Sequence, residues 1–163
     1  MNKNQLNSET IIIRASHEDL ADIFNLQKIA FISEAELYND FNIEPLTETY
    51  SSVMEDFKEC VFLKAVYKNK IIGSVKGRST PDYCWVGRLV VHPEFQNHGI
   101  GKRLMLGIEK EFPKAKQFQL CTGYKSFKNI KLYESIGYLR AEGLINDPKT
   151  PGIHLVKMIK IIT

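Results

Sequence analysis

The segment from Leu89 to Lys102 constrains this chain more than any other. It reads as a strand end, a proline, two glycines two residues apart and the start of a helix. Ile100, Leu104, Ile108 and Phe112 recur at four-residue spacing and predict a helix from about His98 to Glu111 with one buried face. Leu89, Val90 and Val91, ahead of Pro93, end a strand predicted from Tyr83. A strand that turns directly into an amphipathic helix needs a sheet for that helix to cover, so this segment demands a layered α/β domain. The flanking sequence supplies the rest of the sheet. Further strands are predicted at Thr10–Arg14, Cys60–Tyr67, Ile71–Arg78, Phe118–Thr122, Tyr138–Leu144 and Ile153–Ile162, with Lys68-Asn69-Lys70 as a hairpin turn. Helices are predicted from about Asp19 to Ser33, Leu46 to Asp56 and Ser126 to Ile136, the last stopped by Gly137. Residues 1–163 therefore read as a single domain with a mixed central sheet of about seven strands and about four helices.

Composition narrows the function classes. The net charge of +3 conceals a division at Cys60, with 4 basic and 12 acidic side chains before it, net −8, and 18 basic and 7 acidic after it, net +11. Such a split predicts an anionic ligand on the second part and a cationic one near the first. The basic residues follow no nucleic-acid motif, so no nucleic-acid partner is expected. Cys60, Cys84 and Cys121 stand far apart and the four histidines lack ligand spacing, which predicts reduced thiols, a cytoplasmic setting and no metal. No apolar run approaches the ~20 residues of a spanning helix, so no membrane partner is expected.

Gly99 and Gly101 let the backbone approach a ligand where the first helical N–H groups lack partners, and Lys102 and Arg103 add positive charge. That chemistry suits a diphosphate. A phosphate-cradling P-loop would need Gly at Gln96 and Ser or Thr at Arg103, and a dinucleotide fingerprint would need Gly at Leu104; neither fits. Glycines that merely cap a helix give the same spacing, so spacing alone leaves both readings open. Gln96-x-x-Gly99-x-Gly101 after Leu89-Val90-Val91-His92-Pro93 resembles the acetyl-CoA-binding signature of the GNAT N-acetyltransferase superfamily, and the order of elements is similar to that fold over nearly the whole chain. The resemblance implies that Gln96, Asn97, His98, Gly99, Ile100, Gly101 and Lys102 bind the CoA diphosphate and that Leu89, Val90 and Val91 pair with the pantetheine arm. It also implies an amide near Val90 facing the thioester oxygen as an oxyanion donor. A homodimer follows from family habit.

The stretch from Ser126 to Tyr138 resembles the family's later motif at Asn129, Leu132, Tyr133, Gly137 and Tyr138. The resemblance implies cofactor contacts from Ser126, Asn129 and Tyr133; Ser126 departs from the Asn many members carry, and it also suits a helix N-cap. By itself Tyr133 reads as a core tyrosine near a helix end. Within the family pattern it is placed as the general acid, since a phenol of pKa ~10 can supply a proton to a departing thiolate. The amine must also lose a proton, and many relatives place a Glu on the strand entering the cofactor loop. Here that strand reads Trp85-Val86-Gly87-Arg88, with no acid, which leaves Asp82, Tyr83, Glu34, Glu36 or a water chain open as bases. His92 belongs to the loop framework. The acidic residues Glu34, Glu36, Asp40, Glu44 and Glu48 are either a solvated face or a lobe that attracts a small cationic amine. The expected function is thus direct acetyl transfer from acetyl-CoA to a primary amine. A protein N-terminus or lysine is the alternative acceptor, and a non-catalytic acyl-CoA sensor the rival from another class.

Overall fold

A computed structural model describes residues 2–163. Helix α1 (Lys3–Glu9) leads into β1 (Ile11–Arg14), followed by α2 (Leu20–Ala30), α3 (Ile32–Tyr38), the one-turn α4 (Glu44–Thr47) and α5 (Tyr50–Glu59). Strands β2 (Val61–Tyr67), β3 (Lys70–Ser79) and β4 (Cys84–Val91) come next, then α6 (Ile100–Lys110), β5 (Gln117–Gly123) and α7 (Phe127–Ser135). The short strands β6 (Leu139–Arg140) and β7 (Ile145–Asn146) and the long β8 (His154–Ile161) complete one sheet. Its order is β1-β2-β3-β4-β5-β8-β6, with β7 also on β8. Every pairing is antiparallel except β4 with β5.

Period-two alternation in β2 sends Leu63 and Ala65 to one face and Phe62 to the other. The first face is covered by α6 through Ile100, Leu104, Met105 and Ile108, all at most 1 % exposed. The second is covered by α2 and α5 through Leu20, Ile23 and Val53. Lys68 and Asn69 both take positive φ, 47° and 64°, which makes the β2–β3 connection the two-residue hairpin turn that matches strand twist. Among the described residues no helix is long and apolar enough to cross a membrane.

The predicted α/β class stands, with differences in count. Of the predicted Tyr138–Leu144 strand only Leu139–Arg140 forms, because Gly143 at φ 79° turns the chain out, and a second short strand, Ile145–Asn146, follows beyond it. The predicted first helix breaks near Phe31 into α2 and α3, and α1 lies where the sequence shows only polar residues around Leu6. Leu6 is fully buried, and Arg103 donates to the carbonyls of Asn7 (3.0 Å) and Thr10 (2.7 Å). Arg103, expected beside a phosphate, instead anchors α1.

Part of the division of charge is satisfied inside the molecule. Asp19 pairs with Lys64 (2.7 Å), Asp56 with Lys76, and Glu59 with Arg78 (3.3 Å). Lys76 is 3 % exposed, with its ammonium near the rings of Phe62 and Trp85, so its charge depends on Asp56. Burying a pair gains little over an apolar substitute, whereas stranding one member is costly. Asp56→Asn should therefore lower the urea-unfolding free energy by about 3 kcal/mol, while Lys76→Met stays within about 1 kcal/mol of the parent. Equal losses in the two variants would contradict this.

Candidate functional site

The site begins where β4 and β5 part. They pair in parallel only at Cys84–Phe118 and Trp85–Gln119. On its other edge β4 carries a bulge, with a register shift against β3 between Ser74 and Lys76, and Arg88 within it adopts φ 51°. The extra residue bends β4 away from β5 and leaves the edge of Leu89–Val91 without a strand partner.

Ladder parity decides which amides face that gap. His92 N–H donates to the Ile72 carbonyl (2.8 Å), and Val90, two residues earlier, stands opposite Ser74 in the same register. Val90 therefore spends its N–H on β3, and the alternation turns the main-chain groups of Leu89 and Val91 toward the gap. The Val90 N–H is thus directed at β3, and the Leu89 N–H at the gap. The Val91 carbonyl accepts from the Gln96 side chain (3.0 Å), which ties the loop to the strand.

Two cavities open from this gap. A groove of about 270 Å³ is lined by Leu89, Val90, Val91, Gln96, Asn97, Gly99, Ile100, Gly101, Lys102 and Asn129, with Lys128 and Leu132. Gly99 takes φ 87°, a conformation that favours glycine, and with nothing within 4 Å of its missing Cβ its backbone lies bare. A Cβ on Gly101 would come within 3.3 Å of Leu132, which explains the second glycine. Lys128 donates to the Gln96 carboxamide (3.1 Å) at the rim. His98 points elsewhere, its Nδ1 2.6 Å from the Gln96 carbonyl, and lines neither cavity.

The second cavity, about 300 Å³, lies between the splayed strands and includes Gly87, Arg88, Leu89, Thr122, Gly123 and Tyr133. Phe31, Glu34, Leu89 and Asn129 line both cavities and mark the junction. Tyr133, on α7, faces this second space; burial and the nearby Glu34 charge push its phenol well above the ordinary tyrosine value, so it stays protonated. Ser126 lies beneath the junction, buried, and its hydroxyl donates to Glu34 instead of capping α7. Asn129 donates to the other Glu34 oxygen at 3.4 Å. Tyr38 completes the clasp by accepting from the Lys125 N–H (2.8 Å), and Gly123 is required because a Cβ there would sit 2.0 Å from its hydroxyl. None of these α3 contacts is signalled locally in sequence, since the partners lie about ninety residues apart.

The acids expected to form an anionic lobe are partly consumed. Arg88 pairs with Glu44 (3.2 Å) and Glu48 (3.2 Å), and Lys149 pairs with Glu44. Gln27 donates to Glu48 at 2.7 Å. Burial raises the Glu48 carboxyl, but Arg88, the Gln27 amide and Lys76 outweigh it and hold Glu48 below the usual carboxylate range.

Comparison with known proteins agrees with this geometry. The family model described as Acetyltransferase (GNAT) family matches residues 20–138. A curated relative, UPF0157 protein YqkA of Bacillus subtilis (strain 168), is 26 % identical over 121 residues, 74 % of this chain; the match spans about a third (35 %) of that relative's length. The PaiA N-acetyltransferase of Thermoplasma acidophilum, crystallised with coenzyme A, superposes with TM-score 0.76 at 21 % identity, covering 94 % of this chain and 99 % of that one. The ribosomal-protein-S18-alanine N-acetyltransferase of Escherichia coli gives TM-score 0.77 at 15 % identity, covering 94 % of each. At these identities the structural likeness establishes the fold.

The Arg88 cluster predicts a pH dependence. A carboxylate whose folded pKa lies below its unfolded value of about 4.3 adds stability that is present above that pH and lost as pH falls through the folded pKa. Urea-unfolding free energy should thus decline below about pH 4.3, and Glu48→Gln should flatten the decline. An unchanged slope in Glu48→Gln would remove Glu48 from the acid transition.

Proposed function

The chain belongs to the GNAT acetyltransferase family, and on that premise we propose that it moves an acetyl group from acetyl-CoA to a primary amine by direct transfer. The observation that carries this reading is the parting of β4 and β5, which joins a phosphate-suited groove to a second cavity holding Tyr133. The CoA diphosphate rests on the bare amides around Gly99 and Gly101, with Lys102 and Lys128 adding charge, and Gln96, Asn97 and Ile100 shape the turn. The pantetheine arm pairs along the open edge of β4 through Val91, with Asn129 beside it.

The amine enters from the second cavity and attacks the thioester carbon, forming a C–N bond. Negative charge gathers on the thioester oxygen, where the Leu89 N–H is the donor. The C–S bond then breaks, and the thiolate takes the Tyr133 proton. The Tyr133 phenolate recovers a proton from the new amide nitrogen. Burial and the Glu34 charge keep that phenol protonated until the thiolate departs.

The acceptor we propose is a small amine whose ammonium meets Glu34. A polycation gains less support, because Arg88 and Lys149 stand in the same cavity beside Glu44. Thiol release from acetyl-CoA over a diamine, a polyamine, an amino-acid amide and a peptide with a free N-terminus tests the reading. Tyr133→Phe should keep acetyl-CoA affinity within about twofold and lower kcat by roughly 10²–10⁴. Unchanged turnover would remove Tyr133 from the chemistry, and calorimetric binding without release on any amine would favour the sensor.

A further inference from the structure

The transfer needs a group that takes a proton from the acceptor ammonium, and β4 offers none. Each acid that could replace a β4 carboxylate has a definite position. Asp82 and Tyr83 line a separate cleft with Glu111 and Phe112, at the far end of β4. Glu36 is exposed on α3 and lines neither cavity. Glu44 and Glu48 are bound to Arg88, which leaves them weak bases. His92 lines neither cavity, and its Nδ1 accepts from the Glu94 N–H (3.3 Å). Asp147 lies on the loop before β8, and its Oδ1 accepts from the Lys149 N–H (2.9 Å).

Glu34 differs from all of these. It lines both cavities, at the junction where the thioester and the amine must meet, and Asn129, which its carboxylate touches, lines both as well. Ser126 donates to one oxygen and Asn129 to the other, and both donors are neutral. A carboxylate oxygen accepts two hydrogen bonds, so each keeps one lone pair for a substrate N–H. We infer that Glu34 is the general base of the transfer, a reading that rests on the proposed acetyltransferase activity. Ser126 and Asn129 are its positioning residues.

The proton balance closes. Glu34 takes one proton from the ammonium, giving the neutral amine that forms the C–N bond, and later releases that proton to solvent. Tyr133 gives its proton to the departing thiolate and regains one from the amide nitrogen. The net products are the acetamide, the CoA thiol and one proton. Base and acid are also electrically coupled, because burial raises the Tyr133 phenol and the Glu34 charge raises it further. When Glu34 accepts the proton, that charge disappears and Tyr133 becomes a better donor at the step that requires it.

The charged and titratable groups around Glu34 are few. Tyr38 shares its helix and Tyr133 faces it from α7. Lys102 and Lys128 line the groove; Arg88, Glu44 and Lys149, already paired with one another, line the second cavity, as does Asp147.

The experiment measures kcat and kcat/KM from pH 6 to 10 for the wild type, Glu34→Gln, Ser126→Ala and the exposed control Glu36→Gln, over the four amine classes named above, with acetyl-CoA affinity by calorimetry. Glu34→Gln should lose about 100-fold or more in kcat near neutral pH on the diamine and polyamine, keep its acetyl-CoA affinity within about twofold, and regain activity about tenfold per pH unit until the free amine deprotonates, near ~10 for those alkylamines and near ~8 for the two α-amino acceptors. Ser126→Ala should lower kcat by about three- to tenfold, and Glu36→Gln should match the wild type. A Glu34→Gln enzyme with wild-type kcat and pH profile overturns the inference while acetylation by the wild type stands. A wild type that acetylates none of the amines overturns the acetyltransferase reading and this inference together.

Discussion

The structure depends on a single backbone event, the bulge at Arg88. A non-glycine residue in the left-handed region costs on the order of 1 kcal/mol and persists only where its surroundings hold it. Here the guanidinium is held by Glu44 and Glu48, and Gln27 and Lys28 of α2 hold the α4 segment by donating to its carbonyls. The bulge therefore fastens the acidic segment to the sheet as well as bending the strand. Without it β4 would continue along β5, the edge of Leu89 and Val91 would be paired, and neither cavity would open.

Placing the two cavities on one gap also explains the role of α3. Glu34 and Tyr38 reach across to α7 and the turn before it, so the helix closes the junction from above while Gly123 yields space for the Tyr38 hydroxyl. The groove and the second cavity meet at Glu34, and the Tyr133 phenol faces the second cavity; the proposed transfer uses the first as base and the second as acid.

Much of this was legible in sequence because its signals are local. The four-residue stripe of α6, the turn at Lys68-Asn69, and Gly99 and Gly101 each depend on neighbours in the chain. Phe112 was placed on the α6 stripe and packs against the core from just past the helix end. What escaped was non-local. Helix α1 offers a single apolar residue in seven and exists through Leu6 burial and Arg103, neither of which leaves a periodicity. The direction of each β4 amide depends on a register with β3 that a one-residue bulge resets, so sequence alone does not distinguish the Leu89 amide, which faces the gap, from that of Val90. The charge division also reads only in part, because sequence does not reveal that Arg88, Lys64, Lys76, Arg78 and Lys149 pair with acids of the first part.

The most direct test is a backbone-amide NMR titration of the protein with coenzyme A. The account predicts that the largest shifts fall on Leu89, Val91 and residues 96–102, with smaller ones along α7, and that Thr80, Tyr83 and Lys114 at the opposite end of β4 stay still. Shifts centred on that opposite cleft, or no response along the open edge of β4 at saturating coenzyme A, would contradict it.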